Sequence, residues 1–143
     1  MSTAPARPIP ALTLSGCLSV ADLDATATWY AEALGFHTVR RHTFTEFGAE
    51  VAYLSNGTLA LELLQVTDGI SLQRPAPPNH GALHGLTQLA FYVSDLDQTV
   101  RELRERGVEP VTDIADVPVL GVRALFVRDL EGHYIEFIQA DWL

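Results

Sequence analysis

Two glutamates stand where an uncompensated charge is costly. Glu62 lies between Leu61 and Leu63, and Glu136 lies 74 residues later between Ile135 and Phe137. The apolar neighbours belong in a core, so each carboxylate is embedded in a strand that is otherwise buried. Taking an unpaired carboxylate out of water costs several kcal/mol in practice, and a partner must offset it. If both converge on one concave surface, each also disfavours ionisation of the other. A bound cation, a shared proton or a hydrogen-bonding ligand would resolve that conflict. The plainer arrangement is that each glutamate points to solvent from a half-exposed sheet face.

The elements that would position them come as a repeat. Val20-Ala-Asp22-Leu23-Asp24 is echoed at an offset of 73 by Val93-Ser-Asp95-Leu96-Asp97. Each follows an apolar run and precedes a helical pattern, Leu23, Ala27, Tyr30 and Leu34 in the first copy and Leu96, Val100 and Leu103 in the second. Asp22 and Asp95 are expected to cap the helix N-termini, and Gly35 and Gly107 to end the helices. Strands are expected at 36–44, 49–55 and 58–66, then at 109–114, 122–128 and 133–139. Asn56-Gly57 is expected to form a tight hairpin, and Asp129-Leu130-Glu131-Gly132 to join the last strand pair. The order β-α-β-β-β thus occurs twice. Residues 1–11 are expected to form a flexible leader and 12–143 a single domain, with module one at 12–66, a proline-bearing linker at 67–85 and module two at 86–139.

Strand alternation assigns faces. Leu89, Phe91 and Val93 should meet the helices, which leaves Gln88, Ala90 and Tyr92 on the other face. The repeat offset then places Ser15, Cys17 and Ser19 on the matching face of the first strand. Tyr92 and Tyr134 also fall there, where their hydroxyls would bind a substrate oxygen or simply pack. His37, His42, His80, His84 and His133 read as loop or surface residues, with His80 and His84 of the linker best placed to reach a cavity mouth. Cys17 reads as a small packing residue, and Arg101, Glu102, Arg104 and Glu105 as a solvated helix face.

Taken together, Val-x-Asp-Leu-Asp with Trp29-Tyr30 and Leu34-Gly35-Phe36, the stretch Gly85-Leu-Thr-Gln-Leu-Ala-Phe91, and Arg128-Asp-Leu-Glu-Gly-His-Tyr-Ile-Glu136 resemble the vicinal oxygen chelate family, whose relatives include glyoxalases, bleomycin-resistance proteins and dioxygenases. The resemblance spans about Leu12 to Gln139. It implies an α+β fold in which two tandem βαβββ modules curve around a cavity, a homodimer, and a divalent-metal site in many members. By position the family's metal-ligand places fall on Ser15, Glu62, Gln88 and Glu136. Many enzymatic members have histidine where this chain has Ser15 and Gln88. Any cation is therefore expected at Glu62, Gln88 and Glu136 in an oxygen-rich set, which suits magnesium or manganese better than zinc or iron. Extradiol dioxygenase chemistry, which needs two histidines and a carboxylate, is disfavoured. The family's turn usually reads Asp-Pro-Asp-Gly, and here Leu130 and Glu131 take its middle.

Composition narrows the partners. Eighteen acidic against nine basic residues, with no dense basic run, argue against nucleic acid and anionic membrane. A single cysteine excludes a disulfide framework, and neither a signal peptide nor a long apolar run is evident, so a cytoplasmic protein is expected. Two functions remain. In the preferred one, Glu62 and Glu136 move protons on a small oxygenated metabolite in isomerase, lyase or cyclase chemistry, with Ser15, Gln88, Tyr92 and Tyr134 binding substrate. In the other, the chain sequesters a drug or metabolite without turning it over.

Overall fold

The computed structural model describes residues 3–143, with the element order β1 (Gly16–Ser19), α1 (Leu23–Leu34), β2 (His37–Phe44), β3 (Ala49–Ser55), β4 (Ala60–Val66), β5 (Leu89–Tyr92), α2 (Leu96–Glu105), β6 (Ala115–Val117), β7 (Val122–Arg128) and β8 (Tyr134–Ala140). Two mixed sheets result, ordered β1-β4-β3-β2 and β5-β8-β7-β6. In each, the first and last strands of a module pair in parallel and the helix bridges the crossover. The α+β architecture of two βαβββ modules is the one expected. Residues 3–15 hold no helix or strand, and Met1 and Ser2 of the expected leader lie outside the described residues.

Both helices start where the aspartates dictate. The carboxylates of Asp22 and Asp95 accept the N–H of Ala25 and Gln98, each at 3.0 Å. A second device repeats with them. The side-chain oxygens of Gln65 and Gln139 accept the N–H of Leu23 at 2.7 Å and of Leu96 at 2.8 Å, tying each helix start to its module's last strand. Gln139→Ala should therefore cost about 1 kcal/mol, because a first-turn donor is left without its partner. Urea unfolding of the variant measures this, and an unchanged midpoint would contradict it.

The remaining apolar faces form one core. Leu23, Tyr30 and Ala33 of α1 and Leu96, Val100 and Leu103 of α2 pack with Leu61 and Leu63 of β4 and Ile135 and Phe137 of β8. Leu89, Phe91 and Val93 pack against this cluster, the register that alternation predicts. Phe91 stacks on Phe137 at 5.4 Å and leans on Phe36 at 6.1 Å, so it joins the two modules. A Cβ on Gly16 would lie 2.6 Å from a methyl of Leu89, which shows how closely β1 and β5 approach.

Two expected elements differ. No strand forms at 109–114: Pro110 has no N–H to give a ladder, and the Thr112 hydroxyl instead accepts the Phe126 N–H at 3.0 Å. The second strand of module two is Ala115–Val117. The hairpin at Asn56-Gly57 is a four-residue loop, closed by the Asn56 N–H on the Leu59 carbonyl at 3.1 Å, with the Asn56 side chain accepting from Thr58 and Leu59. Only Gly57 needs the left-handed backbone there, at φ 96°.

Candidate functional site

Glu136 sits on the sheet face away from the helices, directly between Ala90 of β5 and Phe126 of β7. Its pKa is raised by burial, and the Gln88 amide hydrogen bond only partly counters that effect. Gln88 is itself oriented, because its side-chain oxygen accepts from the Thr87 hydroxyl. Tyr134 shares the face and is only 4% exposed. It is covered by the linker, whose 3₁₀ turn (Asn79–Ala82) sets the His80 ring edge-on to Phe126 at 4.9 Å and to Tyr134 at 6.0 Å. The Arg74 guanidinium holds this linker by donating to the backbone carbonyls of His80 at 2.8 Å, Leu83 at 2.5 Å and Leu86 at 2.9 Å. His80 Nδ1 is buried with no hydrogen-bond partner.

Glu62 occupies the equivalent face of the first sheet, between Cys17 of β1 and Tyr53 of β3. Cys17 is exposed, yet burial, the Glu62 charge and a hydrogen bond to Glu62 all push its thiol pKa up. It should alkylate with iodoacetamide more slowly than a free thiol at pH 7.5, and faster in Glu62→Gln, because the thiolate is the nucleophile. Equal rates in the two proteins would contradict the Cys17–Glu62 contact.

The structure thus brings Gln88 and Tyr134 to Glu136 and adds His80. Ser15 and Glu62 lie at the first sheet, and no hydrogen bond among the described residues joins the two glutamates. Ser15 is exposed, and its hydroxyl donates to the Gly16 carbonyl at 3.3 Å. Tyr92, 48% exposed, stands opposite Ile138 and meets the Trp142 ring at 5.8 Å. His84 is exposed.

A metal fits this arrangement poorly. The Gln88 oxygen is engaged by Thr87, its NH₂ is left to face Glu136, and the Ser15 hydroxyl is bound locally. Among the described residues, no three His, Cys, Asp or Glu side chains converge as a metal site would need.

A buried polar network was not legible in the sequence. Asp129, in the β7–β8 turn, accepts the Tyr30 hydroxyl at 2.7 Å and lies 2.8 Å from His133 Nδ1, while its other oxygen accepts the N–H groups of Glu131 and His133, each at 2.9 Å. The His133 ring also bonds the Ser19 backbone, and the Glu131 carboxylate accepts the N–H of Ala21 at 2.7 Å and Asp22 at 3.2 Å. The turn of module two is therefore bolted to β1 and α1 of module one. His133, read as a loop or surface residue, lies in the loop before β8 and is part-buried in this bolt. Glu131, where the family usually has Asp, supplies two of its bonds. Burial is the largest influence on the Asp129 pKa and would raise it, but the hydrogen bonds and charge of His133, together with Tyr30, outweigh it and hold the pKa below the usual value. The hydrogen bond to Asp129 raises the pKa of His133 against burial. Burial first, then the Asp129 charge and hydrogen bond, raise that of Tyr30.

No helix among the described residues is long and apolar enough to cross a membrane. The chain is 32% identical over 109 residues to the uncharacterized protein YwkD of Bacillus subtilis, covering 76% of this chain and 80% of that one. A glyoxalase family protein from Enterococcus faecalis superposes with a TM-score of 0.71 at 25% identity, over 90% of this chain and 96% of that one. Trypanothione-dependent glyoxalase I of Leishmania major superposes with a TM-score of 0.62 at 26% identity, over 89% and 85%. Residues 12–137 match the family model described as Glyoxalase/Bleomycin resistance protein/Dioxygenase superfamily, and with the repeat, the paired sheets and the relatives in agreement, the chain belongs to that superfamily.

Proposed function

We propose that this protein is an enzyme of proton-transfer chemistry on a small oxygenated metabolite, of the isomerase, lyase or cyclase kind. One observation carries the reading: Glu136 is a half-buried carboxyl on a face walled by Phe126 and Tyr134, with its pKa raised by burial. Such a group keeps its proton to higher pH than a free glutamate and can donate it. Glu62, on the other sheet, takes a proton from the carbon beside a substrate carbonyl while Glu136 gives one to the carbonyl oxygen, which leaves an enol. On an alpha-hydroxy carbonyl that enol is an enediol; Glu136 then takes the proton of the neighbouring hydroxyl while Glu62 gives its proton to the former carbonyl carbon, which completes an isomerisation and resets both carboxyls. Gln88, Ser15, Tyr92 and Tyr134 are the candidate oxygen-binding groups. No step is routed through a metal, because the donor set fits one poorly. A homodimer accompanies this reading, since Leu14, Ile70, Leu72 and Leu86 are apolar and strongly exposed.

The sequestering alternative draws on the same aromatic walls, which suffice to hold a ligand without turnover. The test is the Glu62→Gln/Glu136→Gln double variant, assayed on oxygenated metabolites that the wild type converts. Full activity of the double variant would end the catalytic assignment. Tight binding by the wild type with no product would move it to sequestration.

A further inference from the structure

His80 lies near Glu136 but at none of the family's ligand places, and its environment is unusual in two respects. Its Nδ1 is buried without a hydrogen-bond partner, and its backbone is pinned by Arg74, whose guanidinium also holds the carbonyls of Leu83 and Leu86. A buried N–H is rarely left orphaned, so Nδ1 is read as the acceptor nitrogen of the ring. An orphaned acceptor still costs stability, and a ligand hydroxyl or N–H would remove that cost.

We propose that residues 74–86 are a ligand strap, which Arg74 fastens across the second sheet so that His80 Nδ1 accepts a hydrogen bond from a small, flat, hydroxyl-bearing ligand held against Phe126 and Tyr134. Flatness follows from the walls: the His80, Phe126 and Tyr134 rings pack edge-on in direct contact, with centroids 4.9 to 6.5 Å apart, so nothing fits between them while the strap is closed and a ligand lies against their flat rings only once it lifts. Three main-chain hydrogen bonds from a single side chain make the fastening reversible. Most of the strap is exposed and has little to unpack when it opens. The proposal rests on the reading of the Glu136 face as the ligand site. His80 determines specificity within it, and Arg74 is a positioning residue.

Phenol and methyl phenyl ether are suitable probes, since both present the same flat ring and only phenol carries a donor. NMR titration of the wild type should show phenol binding roughly five- to tenfold tighter than the ether, with shifts at His80 and Glu136. His80→Phe keeps an aromatic ring and should bring that ratio to about one. His80→Gln restores an acceptor oxygen and should recover part of the preference. Arg74→Met should lower the ratio and speed hydrogen exchange at residues 79–86. Equal binding of the two probes by the wild type, an unchanged ratio in His80→Phe, or no saturable phenol binding at this face would overturn the proposal. None of these readouts uses turnover, so their failure leaves the carboxylate chemistry standing. Full activity of the double glutamate variant would remove that chemistry and leave the strap's preference intact.

Discussion

Glu136→Gln is expected to lower kcat by about 10² to 10⁴, the usual contribution of a positioned general acid or base, while ligand affinity changes only a few-fold. The amide keeps the size of the side chain and can still bond Gln88, so what is lost is the proton. The pH dependence gives an independent check. As the acid, Glu136 must be protonated, so wild-type kcat should fall as pH rises through its raised pKa. That limb should be missing from the residual activity of the variant. Wild-type stability should fall over the same range. A carboxyl whose folded pKa is raised contributes fully below its ordinary pKa and loses that contribution as pH rises through the folded value. Above that range the glutamine variant should be as stable as the wild type, or more so. A variant that lost both stability and turnover at neutral pH would identify Glu136 as a structural residue.

Asp129→Ala should produce the largest loss of stability of any single change at the module junction, about 3–5 kcal/mol or roughly 10 °C in Tm, because it leaves a part-buried imidazolium and a buried phenol without their partner. The Asp129 side chain is fully enclosed, so its hydrogen bonds are shielded from bulk water. The bolt also sets a pH window. Asp129 has a lowered pKa, so its contribution is present above the ordinary aspartate value and is lost as pH falls through the folded one. His133 has a raised pKa, so its contribution is present below the ordinary histidine value of 6.5 and is lost as pH rises through the folded one. Stability from this network should therefore be greatest from about pH 4 to 6.5 and decline on either side. Tyr30→Phe keeps the ring in the core and removes one hydrogen bond, so it should cost only about 1 kcal/mol. Calorimetry of the three proteins across pH 4–9 checks the ranking, and an alanine variant with the wild-type profile would show that the modules hold together without the bolt.

Much of the fold was legible because its causes are local or repeated. The 73-residue offset set out two modules, aspartate and glycine bounded the helices, and alternation put Leu89, Phe91 and Val93 on the core side. The same reasoning singled out Glu62 and Glu136. It failed at 109–114, read as the first strand after the second helix, because Pro110 and the Thr112 hydroxyl break the ladder. It also missed Gln65 and Gln139, although both follow their glutamate by three residues and the repeat could have shown them.

What the sequence by itself determined, then, is the modular architecture and the faces its strands present, since a two-residue period and a helix cap depend only on neighbours along the chain. The tertiary structure alone decided which distant groups meet. Tyr30 reads as one more residue in a helix stripe until the turn 99 positions later delivers Asp129 to its hydroxyl. His80 reads as a loop residue until Arg74 folds the linker back and lays the imidazole between Phe126 and Tyr134. Such meetings depend on the curvature of a sheet and the path of a loop, which are set by the packing of the whole chain and leave no periodic trace in it.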